Sequence, residues 1–122
     1  MAQLPSKRWS QGDHLDYTPS SAVAAGDVIA IDGVHYIAER AIAANTLGAV
    51  AATGTFLVPK TNAAIAAGVE LYWDPAATPV GATGGETGAV TSTAGALAQI
   101  GRAGLAGAAD TAATVVCRLG VA

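Results

Sequence analysis

Residues capable of metal or acid–base chemistry are few in this sequence, and they are widely spaced. Asp13, His14 and Asp16 lie close together, but a metal site built from them would contain a single imidazole. The second histidine, His35, falls in a predicted strand on the side opposite Tyr36. Isolated His and Asp side chains on polar segments are usually solvated, so we predict no metal site.

The carboxylates do not form a recognisable pair for acid–base catalysis. Four aspartates occupy predicted turns, where an Asp side chain commonly accepts a hydrogen bond from a backbone N–H. These are Asp27, Asp32, Asp74 and Asp110, whereas Glu39, Glu70 and Glu86 are scattered along the chain. We therefore nominate no catalytic residue and predict that the protein is not an enzyme.

A nucleophile and a phosphate-binding loop are equally hard to find. Cys117 alternates with Val116 and Arg118 in a predicted strand, which favours a small buried residue over a reactive thiol. As the single cysteine it forms no internal disulfide, which fits folding in a reducing cytoplasm. The glycines at positions 81, 84, 85 and 88 have no lysine among them, so they predict a flexible loop and no cofactor.

Charge and hydropathy exclude two further classes of protein. The net charge is −3, and the six basic residues are spread over 122 positions with only Lys7 and Arg8 adjacent. Binding to nucleic acid needs several basic side chains placed to neutralise phosphates, so we expect no nucleic-acid partner. The sequence contains neither a continuous apolar stretch of membrane-spanning length nor a secretory signal, so we expect no membrane partner.

The elements that would position any site are predicted to be strands. Residues 27–31 and 34–39 flank Asp32-Gly33, a dipeptide that favours a type I′ hairpin turn. Residues 48–58 form one long run ended by Pro59, which cannot donate to a ladder. Further strands are predicted for the apolar runs at 70–73, 98–103 and 114–119.

The remaining segments predict little regular structure. Residues 61–67 could form a short helix that stops at Gly68, and residues 78–96 are typical of a long loop or weak hairpin. Residues 1–22 are predicted to be an extended N-terminal arm, either a frayed terminus or a segment that docks on a neighbouring subunit. The fold class is therefore all-β, a small β-barrel or β-sandwich over residues 23–122 with that arm and at most one short helix.

Five segments, in their order and spacing, resemble the small capsid cement, or head decoration, proteins of tailed bacteriophages. They are GDVI at 26–29, GTFLVPK at 54–60, IAAG at 65–68 with LYWD at 71–74, IGRA at 100–103 and VVCRL at 115–119. The resemblance implies a compact β domain without catalytic residues that binds the outside of a mature phage head. It further implies clamping of neighbouring major capsid proteins and self-association, for which we favour a homotrimer over a dimer. With the reducing environment inferred from Cys117, we expect synthesis in the host cytoplasm.

Residues of the arm are the expected contacts with the capsid, because they lie outside any predicted core. They are Lys7, Arg8, Trp9 and Tyr17. Phe56 and Trp73 are expected to be buried anchors, and Lys60 and Asp74 are expected to be solvated strand ends or a local ion pair. The alternative function is a β module of a phage tail or fibre that recognises a host glycan, which would require an exposed aromatic platform.

Overall fold

Nine strands make up the regular structure of the residues that the structure describes. The computed structural model describes residues 4, 6, 13–104 and 106–120. The strands are β1 His14–Tyr17, β2 Val28–Ile31, β3 Val34–Ile37, β4 Gly48–Ala51, β5 Gly54–Pro59, β6 Glu70–Asp74, β7 Ala89–Thr91, β8 Ala98–Ala103 and β9 Thr114–Leu119.

The strands form two antiparallel sheets. Sheet 1 has the order β1-β4-β3-β2, and sheet 2 has the order β5-β9-β8-β6-β7. The ladders do not close into a barrel, and the arrangement is consistent with a β-sandwich. This confirms the all-β prediction. Within residues 13–104 and 106–120 no helix is present, so no helix could have the length and hydropathy needed to cross a membrane.

The predicted β2–β3 hairpin is present with its predicted turn. Asp32 and Gly33 have φ angles of 51° and 81°, as the two central positions of a type I′ turn require. The opposing residues run from Val28 opposite Ile37 to Ile31 opposite Val34. The Asp-Gly pair therefore sets the register of this hairpin.

The predicted run over residues 48–58 is wrong as a single strand. It is divided into β4 in sheet 1 and β5 in sheet 2, with a bend at residues 52–53. Gly54, with a φ of 128°, begins the second strand in a conformation that other residues avoid. This break carries the chain from one sheet to the other.

Residues 61–67 also differ from expectation, because they form no helix. Ile65 instead pairs with Ala108, each backbone N–H donating to the other's carbonyl at 2.8 Å. A matching bridge joins Val23 and Ile42, with both hydrogen bonds at 2.9 Å. Tertiary pairing thus overrides the helix propensity of the alanines.

The segment predicted as a loop or weak hairpin contributes one strand. Residues 89–91 form β7, which pairs with β6 at the edge of sheet 2. The preceding loop, residues 75–88, is exposed at 83–87, where the Glu86 carboxylate accepts a hydrogen bond from the Gly84 N–H. This local hydrogen bond closes the exposed tip of the loop.

Most buried side chains lie between the two sheets. The larger cluster combines Ile37 and Ala51 of sheet 1 with residues of sheet 2 such as Leu71, Ile100 and Cys117. Phe56 and Trp73 pack against it, but they are half-buried and not fully buried as predicted. A smaller cluster, Ala38, Ile42 and Val50, lies on the other face of sheet 1.

Residues 14–17 of the predicted arm form β1, which pairs with β4 in register from His14 opposite Ala51 to Tyr17 opposite Gly48. The arm therefore contributes an edge strand to sheet 1. The division of the chain into an arm at 1–22 and a domain at 23–122 stays a prediction.

Candidate functional site

Lys60 is completely buried where β5 ends, with 0% of its surface exposed. Its Nζ donates hydrogen bonds to the backbone carbonyls of Thr61 at 2.8 Å, Asp110 at 3.2 Å and Ala112 at 3.3 Å. Three carbonyl dipoles thus replace the water that a lysine ammonium normally binds. Lys60 ties the end of β5 to the turn before β9.

The predictions for Lys60 and Asp74 are therefore corrected. Lys60 is not a solvated strand end, and it forms no ion pair with Asp74 among the residues that the structure describes. The turn before β9 covers the end of β5, so the ammonium finds carbonyl acceptors within the fold. The Asp74 carboxylate instead accepts a hydrogen bond from the Ala76 N–H at 3.0 Å, which stabilises the turn after β6.

The outer face of sheet 2 carries two arginines and an exposed leucine. Arg118 of β9 lies opposite Arg102 of β8, and Val116 lies opposite Leu57 of β5. Because opposing residues point to the same side, these four side chains share one surface, which we call the arginine face. Leu57 is 70% exposed, although it belongs to a regular strand.

The two arginines differ in their partners. Arg102 donates to the Glu70 carboxylate at 3.1 Å and to the Gly68 carbonyl at 3.2 Å. Arg118 forms no ion pair within the described part of the chain. Both line a cleft of about 580 Å³ whose other walls are Ala67, Gly68, Ala103 and Gly104. This cleft has the donors to hold a carboxylate.

The outer face of sheet 1 is apolar, although the opposite face of the same sheet already packs on sheet 2. We call it the tyrosine face. Its alternating side chains are Leu15, Tyr17, Ile29, Ile31, Val34 and Tyr36. The smaller cluster covers part of it, whereas Val34 stays 44% exposed beside the hairpin turn. An apolar sheet face with such incomplete cover is suited to a protein contact.

The four residues predicted to bind the capsid are only partly described. Tyr17 lies on the tyrosine face, where it is half-buried and packs against the smaller cluster. Lys7, Arg8 and Trp9 lie outside the described residues. The structure therefore gives one of the four a definite place.

The residues considered for metal and nucleophilic chemistry are not brought together. Among the described residues no three His, Cys, Asp or Glu side chains are close enough to hold a metal ion. The His14 Nε2 lies 3.4 Å from the Glu39 carboxylate at the exposed surface. Cys117 is buried as predicted, and burial raises the pKa of its thiol to about 11. The thiolate needed for a nucleophile is thus disfavoured at neutral pH.

His35 is the one buried histidine, with 7% of its surface exposed. Burial lowers the pKa of its imidazole, and a hydrogen bond to the backbone of Gln99 opposes part of that effect. Its Nδ1 has no hydrogen-bond partner among the described residues. His35 is therefore a neutral residue between β3 and β8, not an exposed ligand.

A comparison with protein-family models distinguishes a capsid cement protein from a glycan-binding tail module. The model of the phage cement protein family matches residues 9–119. The chain belongs to the phage cement protein family. The matched region includes all nine strands, and with them both outer faces. A search of the curated proteins and a search of the solved structures each found no match.

Membership of the phage cement family gives the chain a structural role at the phage capsid, and it implies binding to capsid proteins. The family is structural, which fits a protein without an enzymatic site. The alternative of a glycan-binding tail module receives no support from the match.

Sequence reasoning missed both outer faces of this phage cement protein. The signal for the tyrosine face was present, because Ile29 with Ile31 and Val34 with Tyr36 alternate with residues of the other face. The arginine face had no comparable signal. Arg102 and Arg118 are 16 positions apart in the sequence, and only the β8–β9 register makes them neighbours.

Proposed function

We propose that this protein binds the outer surface of a mature phage head and stabilises it by clamping neighbouring major capsid proteins. The observation that carries the proposal is the family match over residues 9–119. Each copy would make a modest contact. Repetition of that contact over many equivalent positions would then give the attachment its avidity.

The two-sheet body fits this role mechanically. Its backbone hydrogen bonds run through antiparallel ladders, and Lys60 fastens the end of β5 to the turn before β9. Such a body resists shear between the surfaces that it joins. We further propose a homotrimer, which suits three-fold positions of a capsid, assembled from chains made in the host cytoplasm.

For the capsid contact itself we propose the N-terminal segment, with Lys7, Arg8, Trp9 and Tyr17. Two cations and an aromatic ring at 7–9 offer ion pairs and apolar contact area within three positions. Tyr17 follows them on β1 and is only half-buried, so part of its ring is free to contact a partner.

Co-sedimentation with expanded heads that lack the protein tests the main proposal. We expect saturable binding at a fixed ratio to the major capsid protein, and heads that withstand more heat or chelator after binding. Heads that sediment without the protein at every concentration would refute it.

The arm needs a separate test that spares the fold. Deleting residues 1–20 would remove β1 as well, so a loss of binding would have two explanations. We instead expect Trp9→Ala, or Lys7→Glu combined with Arg8→Glu, to weaken head binding at least about tenfold, the scale of an interface hot spot. The matched control is Ser92→Glu, a charge change in the exposed loop after β7. Unchanged occupancy by the arm variants would exclude the arm as the capsid contact.

A further inference from the structure

The arginine face has an unbalanced charge. Arg102 and Arg118 lie directly opposite each other, an arrangement of like charges that destabilises a sheet unless it is compensated. Glu70 compensates Arg102 at 3.1 Å, whereas Arg118 has no carboxylate partner in the described residues. The exposed Leu57 lies on the same surface. This surface therefore fits a partner that brings both a carboxylate and an apolar side chain.

The tip of the β2–β3 hairpin, at one end of the tyrosine face, offers both groups. The β2–β3 hairpin presents Val34 next to Asp32, at the exposed turn where two strands of that face meet. Ile31, on the same face, is only half-buried. The hairpin tip thus carries an apolar side chain with a carboxylate beside it.

The distribution of charge along the chain also favours a contact between the hairpin tip of one copy and the arginine face of another. Residues 13–51, which contain sheet 1, hold five carboxylates against a single arginine, Arg40. The five are Asp13, Asp16, Asp27, Asp32 and Glu39. In residues 54–120 cations and carboxylates nearly balance, but the two arginines share one surface. The acidic segment that carries Asp32 at its hairpin tip is therefore complementary in charge to the arginine face of another copy.

We propose that the β2–β3 hairpin tip of one copy, with Ile31, Asp32 and Val34 but not Tyr17, docks on the arginine face of a second copy. In this contact Asp32 approaches Arg118 at the cleft between Arg118 and Arg102, and Val34 packs against Leu57 and Val116. The proposal rests on the self-association included in the proposed function, and it does not depend on how the protein contacts the capsid.

Such a contact is head-to-tail, because it joins two different faces. A head-to-tail contact leaves one face of each kind unused until the chain of copies closes into a ring. A closed ring of three copies uses every face and is the trimer proposed above. A two-fold dimer, in contrast, would place the same face of both copies together.

Analytical ultracentrifugation of single-face variants tests the inference. Leu57→Asp with Arg118→Glu disables the arginine face, and Val34→Lys disables the hairpin tip by adding a cation that faces arginines. Each variant alone is expected to be monomeric at concentrations where the wild type is trimeric. A loss of at least about tenfold in the association constant corresponds to 1.4 kcal/mol.

The decisive sample is an equal mixture of the two variants. Each retains one intact face, so the mixture is expected to form a one-to-one dimer that grows no further. The dimer is held by a single contact, whereas the closed trimer is held by three. The mixture is therefore measured at a higher protein concentration than the wild type. A monomeric wild type, variants that keep the wild-type mass, or a mixture that stays monomeric would each overturn the proposal.

Two controls separate this result from other causes. Ser92→Glu changes the charge in the loop after β7, at the far edge of sheet 2, and is expected to keep the wild-type mass. A variant whose circular dichroism spectrum differs from that of the wild type is misfolded and is replaced by the milder Arg118→Gln or Val34→Thr. The same molecular masses are expected for these replacements. A wild-type monomer that still saturates phage heads would overturn this inference and leave the capsid-binding proposal standing.

Discussion

The buried ammonium of Lys60 joins the end of β5 to the segment before β9 in sheet 2. A charge removed from water is tolerated only when polar groups surround it, and here three backbone carbonyls do so. The Asp110 carbonyl lies 50 residues from Lys60 in sequence. The side chain therefore acts as a cross-link between β5 and the turn before β9.

Replacing Lys60 with methionine is expected to destabilise the fold. Lys60→Met keeps most of the side-chain volume but leaves three carbonyls without this donor, at a cost of about 3 kcal/mol in the free energy of unfolding. Urea denaturation followed by tryptophan fluorescence measures the change. Arg40→Met, in an exposed loop, is the matched control and should cost less than about 0.5 kcal/mol. Equal losses in both variants would contradict the role given to Lys60.

His35 predicts how stability depends on pH. Burial lowers the pKa of its imidazole below the ordinary 6.5, so between the two pKa values the unfolded chain binds more protons than the folded one. The contribution of His35 to stability is complete above pH 6.5, and it is lost as the pH falls from there towards the folded pKa. Urea midpoints at pH 7.5 and 5 should differ less in His35→Gln than in the wild type. Ser92→Gln, at an exposed position without a titratable group, should keep the wild-type difference.

At the scale of elements, alternation and turn chemistry were enough to predict most strands. The hairpin at Asp32-Gly33 and the strands at 98–103 and 114–119 were found because local sequence determines them. The break between β4 and β5 and the pairing of Ile65 with Ala108 were not found, because both depend on distant partners. The outer faces were missed for the same reason, since register, not spacing in sequence, assembles them.

Gly101 offers a test of the close β8–β9 approach. A Cβ at this position would overlap the carbonyl oxygen of Arg118, which belongs to the neighbouring backbone and cannot move aside. We expect Gly101→Ala to lower the free energy of unfolding by more than about 3 kcal/mol, as overpacking against backbone does. Thermal and urea denaturation would measure it.

The control for this substitution is Gly95→Ala. Gly95 has a φ of 49°, and no atom lies within 4 Å of the place that an alanine Cβ would take, so alanine there meets only conformational strain of about 1 kcal/mol. If Gly101→Ala proved no more costly than Gly95→Ala, the two strands would not be packed as closely as the structure has them.

The whole molecule is held together by a core with few large side chains. Of 122 residues 30 are alanine, and the sequence has two Trp and one Phe. Alanine adds little buried area, so each larger anchor contributes a greater share of the hydrophobic free energy. A fold of this composition would gain stability from binding to capsid proteins, which membership of the cement family implies.

Cys117 reports on opening of the whole sandwich. Its thiol is fully buried and has a pKa raised to about 11, so a disulfide reagent should react only slowly with the native protein at pH 8. We expect slow labelling that accelerates with urea and reaches one thiol per chain on unfolding. Labelling within the mixing time in native buffer would show that the core is open to solvent.

The exposed tip at residues 83–87 is a suitable place to insert a foreign peptide. The loop from 75 to 88 joins β6 to the edge strand β7, and Glu86 closes its exposed tip on Gly84. Surface tips of this kind accept inserted sequence with little effect on a fold. A foreign epitope spliced in at Thr83 would be carried by every copy on the head, turning the particle into a dense, ordered antigen array.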